Sequence, residues 1–164
     1  MIRKPSIGFM LKHPAHILAQ GFGSGLSPAV PGTSGTLLGW LMFVVFTQRW
    51  PSFFTAGHWG WIIFVGFFIG VWACQITGKN LGTPDHGSMV WDEIIAMWLV
   101  LLLLMPCNFT TQCWAFFVFR FFDMVKPPPI RYFDQRFKGG FGVMFDDIVA
   151  AFFTLLCFAL WRQG

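Results

Sequence analysis

Charge is what this chain has least of. Only 11% of its 164 residues are charged and only seven are acidic, while 55% are hydrophobic and Phe alone occurs 22 times. A soluble domain carries about a quarter of its residues as charges, so an ordinary water-soluble fold is excluded and the bilayer becomes the solvent. Cysteine is sparse as well. Cys74, Cys107, Cys113 and Cys157 lie in or beside apolar runs without C-x-x-C spacing, which removes a zinc knuckle or a dithiol redox motif and leaves small packing residues. A cleavable leader is also missing: Arg3, Lys4 and Lys12 precede the Gly- and Pro-rich stretch 21–35 rather than an apolar segment with a small-residue cleavage site, so the first span is expected to be retained. No internal repeat and no compositional break divides the chain, and residues 1–164 read as one domain. The net charge of +4 points to an anionic lipid surface rather than to nucleic acid. Juxtamembrane Lys and Arg gain about 1 kcal/mol each near acidic headgroups.

Apolar runs occupy 35–50, 59–77, 94–105, 113–122 and 148–161. Only the second approaches the ~20 residues that cross a ~30 Å hydrocarbon core. The others borrow polar flanks or lie in a thinned bilayer. Charge supports the count better than length does. With the N-terminus in the cytoplasm, five crossings leave only Arg49 and Arg162 outside, so nine of eleven basic residues obey the positive-inside rule. The same threading gathers all seven acids, Asp85, Asp92, Glu93, Asp123, Asp134, Asp146 and Asp147, on the cytoplasmic side. Carboxylates contribute little to orientation, so a shared site accounts for their clustering better than insertion does. The expected fold is an all-α, polytopic membrane bundle of about five short spans with its active site on the cytoplasmic face.

Four segments carry chemistry. The stretch GFGSGLSPAVPGTSGT (21–36) offers backbone N–H groups, hydroxyls on Ser24, Thr33 and Ser34, and a helix start near Thr33 or Ser34 that suits a phosphate. It has no preceding strand and no Walker-A lysine, and a plain Gly/Pro loop capped by Thr33 or Ser34 explains it too. In DHGSMVWDEI (85–94), Asp92 and Glu93 fall in the first turn of an apolar helix, where the helix dipole favours acids. Together with Asp85 and His86 they also form an oxygen-rich set of the kind Mg²⁺ accepts. In RFFDMVKPPP (120–129), Arg120, Asp123 and Lys126 recur every third residue, either as a salt-bridge ladder or as a carboxylate flanked by two phosphate-neutralising cations. In GGFGVMFDD (139–147), Asp146 and Asp147 open the last apolar run. A cap needs one acid, and adjacent carboxylates repel unless a cation relieves them. His13 and His58 have weaker claims, His58 as an interfacial residue; His16, close to the glycine loop, is open to a phosphate contact, although surface or interface packing is the commoner role.

These segments resemble phosphatidylglycerophosphatase A. The likeness is carried by GFGSGLSPAVPGT (21–33), DHGSMVWDE (85–93), FRFFDMVKPPPI (119–130) with Asp134, and GGFGVMFDDI (139–148), in unbroken order. It implies removal of the terminal phosphate of phosphatidylglycerophosphate, a Mg²⁺ requirement and a bacterial inner-membrane location. Other lipid phosphatases fit poorly, since the chain lacks a Ser-Gly-His tripeptide, an Asp-x-Asp-x-Thr/Ser motif and the four-Asp signature of CDP-alcohol phosphotransferases.

On this reading Asp92, Glu93, Asp146 and Asp147 bind Mg²⁺. Arg120 and Lys126 bind phosphate with Ser24, Thr33 and Ser34. Asp123 is base or nucleophile, and Asp85 and His86 protonate the leaving alkoxide. The competing readings are a small cation channel or transporter, which needs ionisable residues at mid-span, and a non-catalytic bundle.

Overall fold

The computed structural model describes residues 4–163, and at 129, 133–135, 162 and 163 it describes the backbone alone. Arg3 and the side chains of Asp134 and Arg162 thus lie outside the described residues. Among the described residues every regular element is helical: α1 (Ile7–Met10), α2 (Pro14–Ala19), a 3-10 segment (Gly21–Leu26), α3 (Pro31–Arg49), α4 (Ala56–Leu81), α5 (Trp91–Leu104), α6 (Phe109–Val125), α7 (Pro128–Arg136) and α8 (Gly140–Gln163). Two stretches, Ala56–Leu81 and Gly140–Trp161, are long and apolar enough to cross a membrane.

Each of the five apolar runs coincides with a helix that starts earlier than the run does. Hydropathy misses the Gly, Pro and polar residues of a first turn, although the backbone tolerates them there. Pro31 is the clearest case, because a first-turn residue needs no N–H and its fixed φ suits the helix. The expected cap at Thr33 or Ser34 is therefore corrected. Val30 is the N-cap, and Ser34 Oγ donates back to the Val30 carbonyl at 3.2 Å from inside the helix.

The α5 helix is apolar all round beyond its first turn and sits at the centre. Every residue from Trp91 to Trp98 is buried, and α3, α4, α6 and α8 pack against it. Glycine pairs four residues apart bring two neighbours to backbone distance. On α3, a Cβ at Gly39 would lie 3.0 Å from Ile94 Cα, and one at Gly35 would lie 2.6 Å from Val90 Cβ. On α4, a Cβ at Gly66 would meet Ile95 Cδ1 at 2.7 Å and one at Gly70 would meet Trp91 Cδ1 at 2.6 Å. The bare backbone also leaves carbonyls accessible. Trp98 Nε1 donates to the Gly39 carbonyl at 2.8 Å and Trp91 Nε1 to that of Gly66 at 3.0 Å, so both buried indoles are satisfied.

The outer surface is apolar too. On α4, Trp61, Phe64, Phe68 and Trp72 form an exposed stripe, continued on α8 by Phe152, Leu156 and Leu160. Water does not tolerate an exposed patch of that extent on a monomer, and lipid does.

Contacts set the polarity of the bundle. Gly32 abuts Glu93 and Arg120, Lys126 reaches Asp146, and Gln75 Oε1 accepts from Gly140 N at 2.8 Å. The starts of α3, α5 and α8 and the ends of α4 and α6 therefore share one end. At the other end Trp59 Nε1 donates to Thr47 Oγ1 at 3.0 Å, and Trp40 Nε1 to Gln112 Oε1 at 2.8 Å.

The α2 helix is clasped to α4 near the acidic end. Buried His16 binds Thr77 Oγ1 through Nδ1 at 2.9 Å, Asn80 Nδ2 donates to His16 Nε2 at 3.2 Å, and Thr77 Oγ1 donates to the Ala15 carbonyl at 3.3 Å. One neutral tautomer, protonated on Nδ1, satisfies all three bonds. Burial, helped by nearby His13, lowers the His16 pKa from its ordinary 6.5.

Two stability predictions follow from these contacts. Gly39→Ala forces a methyl onto Ile94 and is expected to destabilise by about 1–3 kcal/mol. Gly60→Ala meets open space and gains helix propensity, so it is expected to be neutral or to stabilise by up to about 1 kcal/mol. Thermal unfolding in detergent compares them, and equal losses would contradict the close packing of α3 on α5. For His16 the folded state takes up the proton later than the unfolded chain does. Its contribution is complete above pH 6.5 and is lost as pH falls below that value. The melting-temperature gap between wild type and His16→Gln is expected to narrow from about pH 8 to about pH 5.

Candidate active site

The site begins with the helical screw. Successive residues on a helix point about 100° apart, so the two acids of an adjacent pair have different neighbours. On α8 the buried stripe runs through Gly140, Val143, Met144, Asp147, Ala150, Ala151 and Thr154, and Asp147 lies on it facing the core. Asp146 is turned toward α6, where Lys126 Nζ donates to its Oδ2 at 2.5 Å. Neither caps α8. The helix starts at Gly140, which puts the pair about two turns in and removes capping as their explanation.

On α5, Asp92 and Glu93 do occupy the first turn, as the sequence predicts. One carboxylate oxygen from each of Asp92, Glu93 and Asp147 lies within 4.8 Å of the others. These residues are only 8%, 9% and 3% exposed, too little for water to screen three charges. Among the described residues, Asp92 Oδ1, Glu93 Oε2 and Asp147 Oδ2 are buried without a hydrogen-bond partner. A buried carboxylate left in that state costs several kcal/mol, roughly the penalty for removing an ion from water. Three of them converging, all oxygen and with no sulfur or imidazole among them, match the donor set of a hard divalent cation such as Mg²⁺.

A cationic wall stands beside the carboxylates. On α6 the buried stripe through Phe116 and Phe119 continues to Arg120. Its Nη1 is ion-paired with Asp123, lies 3.8 Å from Glu93 Oε1, and donates to Thr36 Oγ1 at 3.4 Å. A Cβ at Gly32 would strike Glu93 Oε1 and come within 3.0 Å of Arg120 Nη2. The first turn of α3, which has no side-chain cap, thus meets the carboxylates and the guanidinium directly. First-turn N–H groups lack helical partners and attract anions.

The remaining candidates are spread around this centre. Lys126 leaves the helical stripe expected for it: it is the C-cap of α6 in a left-handed conformation (φ 44), and so it reaches Asp146 rather than Asp123. Asp85 is exposed on the loop before α5 and acts electrostatically on Asp92, while Asp123 and Asp146 act on Asp147. His86 Nδ1 accepts from Ser88 N at 3.2 Å, which leaves Nε2 as the protonated nitrogen of the neutral ring. Ser24 Oγ donates to the Gly21 carbonyl at 2.8 Å within a turn that includes left-handed Phe22. Thr33 and Ser34 are half-buried on the first turn of α3. Asp134 belongs to the quoted motif, but its side chain is outside the described residues.

Three contributors escaped the sequence reading. Gly32 admits Glu93 to the helix start, and Thr36 supports Arg120 while donating to the Gly32 carbonyl at 2.9 Å. Gln75 pins the start of α8 and thereby sets the depth of Asp147. No spacing signals Thr36, because its partner is 84 positions away.

Known proteins match this chain over most of its length. The family model described as Phosphatidylglycerophosphatase A covers residues 17–162. A phosphatidylglycerophosphatase A of Escherichia coli is 44% identical over 143 residues, 85% of this chain and 78% of the relative. Its namesake in Haemophilus influenzae is 40% identical over 148 residues, 89% and 87% of the two chains. A Bacteroides thetaiotaomicron protein provisionally named as a phosphatidylinositol-3-phosphatase is 35% identical over 160 residues, 93% and 98% of the two chains. No solved structure matches.

Proposed function

The chain belongs to the phosphatidylglycerophosphatase A family and is a phosphatase, and from that premise we propose that it hydrolyses the terminal phosphate monoester of phosphatidylglycerophosphate in a Mg²⁺-dependent reaction at the carboxylate cluster. The observation that carries the metal reading is the convergence of the unpartnered Asp92, Glu93 and Asp147 oxygens beside Arg120. Family membership favours an enzyme over a channel or a non-catalytic bundle.

Bound among those three carboxylates, Mg²⁺ would supply charge neutralisation and Lewis acidity toward phosphoryl oxygens. Arg120 and the first-turn N–H groups at Gly32 and Thr33 bind the monoester and hold it in line. Ser24 and Ser34 shape the glycine loop around it. Lys126, oriented by Asp146, adds positive charge at the same mouth. Asp123, held by Arg120, serves either as base toward a water whose oxygen attacks phosphorus, or as nucleophile, in which case water then hydrolyses the aspartyl-phosphate. Asp85 and His86 deliver the proton to the departing alkoxide as the phosphorus–oxygen bond breaks, releasing phosphatidylglycerol and inorganic phosphate.

The assay is phosphate release from phosphatidylglycerophosphate by purified protein in detergent, expected to stop in EDTA and return with Mg²⁺. Asp147→Asn is expected to lower turnover by on the order of 100-fold or more. Its melting temperature in EDTA should not fall, because one of three crowded, buried carboxylates has gone. Unchanged turnover in EDTA overturns the metal reading.

We also place the acidic end of the bundle in the bacterial cytoplasm, as a multi-pass inner-membrane protein with five crossing helices. The supporting observations are the nine-to-two partition of basic residues and the gathering of helix ends described above. In a background lacking the four native Cys, an impermeant thiol reagent applied to intact cells should label Ser52→Cys and spare Ser6→Cys. The reverse pattern overturns the orientation.

A further inference from the structure

A second cleft opens between the end of α6 and the start of α7, joined to the acidic end of the bundle through Lys126, which reaches Asp146. It measures about 590 Å³ and is lined by Val125, Lys126, Pro127, Pro128, Arg131 and Tyr132. Its described lining offers the Arg131 guanidinium and the Tyr132 phenol, with Lys126 at the edge, where Asp146 shares its charge. An anion is the occupant that a guanidinium in a cleft complements.

The walls are rigid for reasons visible in the sequence. Three consecutive prolines, Pro127 to Pro129, follow the left-handed Lys126, and their fixed φ leaves the segment little freedom. The Arg131 N–H bonds the Pro127 carbonyl at 3.1 Å, so α7 grows directly from the proline run and carries Arg131 on its first turns. Tyr132 OH accepts from Arg136 Nη1 at 3.0 Å, and the Arg136 guanidinium lies 5.8 Å from the centre of the Tyr132 ring, which steadies the phenol. Lys126 links the two places: it lines this cleft and donates to Asp146, the chain neighbour of Asp147 in the carboxylate cluster.

We propose that this cleft is a second phosphate subsite, in which Arg131, with Lys126 and Tyr132, takes the phosphodiester of the lipid substrate while the monoester lies at the carboxylate cluster. The proposal rests on the phosphatase reading above and extends it to substrate selection. The substrate carries two phosphates joined through one glycerol unit: a monoester that is removed and a diester that stays with the lipid. The diester keeps two non-bridging oxygens and a single negative charge, which a planar guanidinium matches with two parallel N–H donors. Arg131 is thereby a specificity-determining residue. It holds the part of the lipid that does not react, and it separates a substrate with a diester from phosphatidic acid, whose only phosphate is the monoester.

The test uses the full chain in detergent. Soluble glycerophosphoglycerol, the deacylated diester headgroup, is titrated calorimetrically into wild type and Arg131→Gln, with inorganic phosphate as the monoester probe. Arg131→Gln is expected to weaken diester binding at least 10-fold and to leave inorganic phosphate binding within twofold. In turnover, it should raise KM for phosphatidylglycerophosphate about 10-fold at nearly constant kcat, with phosphatidic acid hydrolysis unaffected. Equal weakening of both probes, no weakening of either, or no diester binding by wild type overturns the subsite. Failure of the wild-type protein to release phosphate from phosphatidylglycerophosphate counts against the proposed function instead, and the binding titration still decides the cleft. Arg131→Lys retains charge without the fork. It should recover part of the diester affinity, whereas full recovery would replace two-point recognition with simple charge attraction.

Discussion

The architecture depends on the approach of two glycine-bearing helices to α5. Where Gly35 and Gly39 of α3 and Gly66 and Gly70 of α4 face that helix, backbone rather than side chain sets the spacing, and the indoles of Trp91 and Trp98 bond to the carbonyls so exposed. In lipid no hydrophobic force pulls helices together, so packing and hydrogen bonds of this kind must do it. Because α5 is enclosed, its first turn is enclosed too. Asp92 and Glu93 are thereby carried into a space where carboxylates are tolerated only with compensation.

Compensation of two kinds meets there. Arg120 and Lys126 pair with Asp123 and Asp146. The remaining three carboxylates have oxygens without such relief, although the nearby guanidinium and helix start lend positive potential. What sets the candidate metal ligands apart is the convergence of their oxygens, since Glu93 also lies 3.8 Å from Arg120. A chain with so few charges assembles a charged site because helix ends from all parts of the sequence deliver them to one place.

Much of this was legible in the residues. The five apolar runs mark the five long helices, the acid-rich motifs supply the carboxylates that converge, and Asp92 and Glu93 fall in the turn expected of them. Helix starts were less legible. The reach of α8 back to Gly140 depends on Gln75 of α4 receiving the Gly140 N–H, a tertiary fact that hydropathy does not encode. The same early start converts Asp146 and Asp147 from apparent caps into interior residues with opposite allegiances. Lys126 was misplaced for a related reason, since a left-handed residue leaves the helical period that the i,i+3 spacing assumes. His16 proved to be a structural clasp, as packing was the expectation for it.

The distance from Gly140 to Asp147 has an evolutionary corollary. The spacing amounts to a gear ratio: the number of residues after Gly140 turns Asp147 to the core and Asp146 to Lys126. One inserted residue would rotate everything beyond it by about 100°, moving Asp146 into the place of Asp147 and Asp147 into that of Ile148, away from the cluster. A change of length in this stretch therefore undoes the site at once, while the outward Phe and Leu of the same helix, which answer only to lipid, are free to drift in both kind and size.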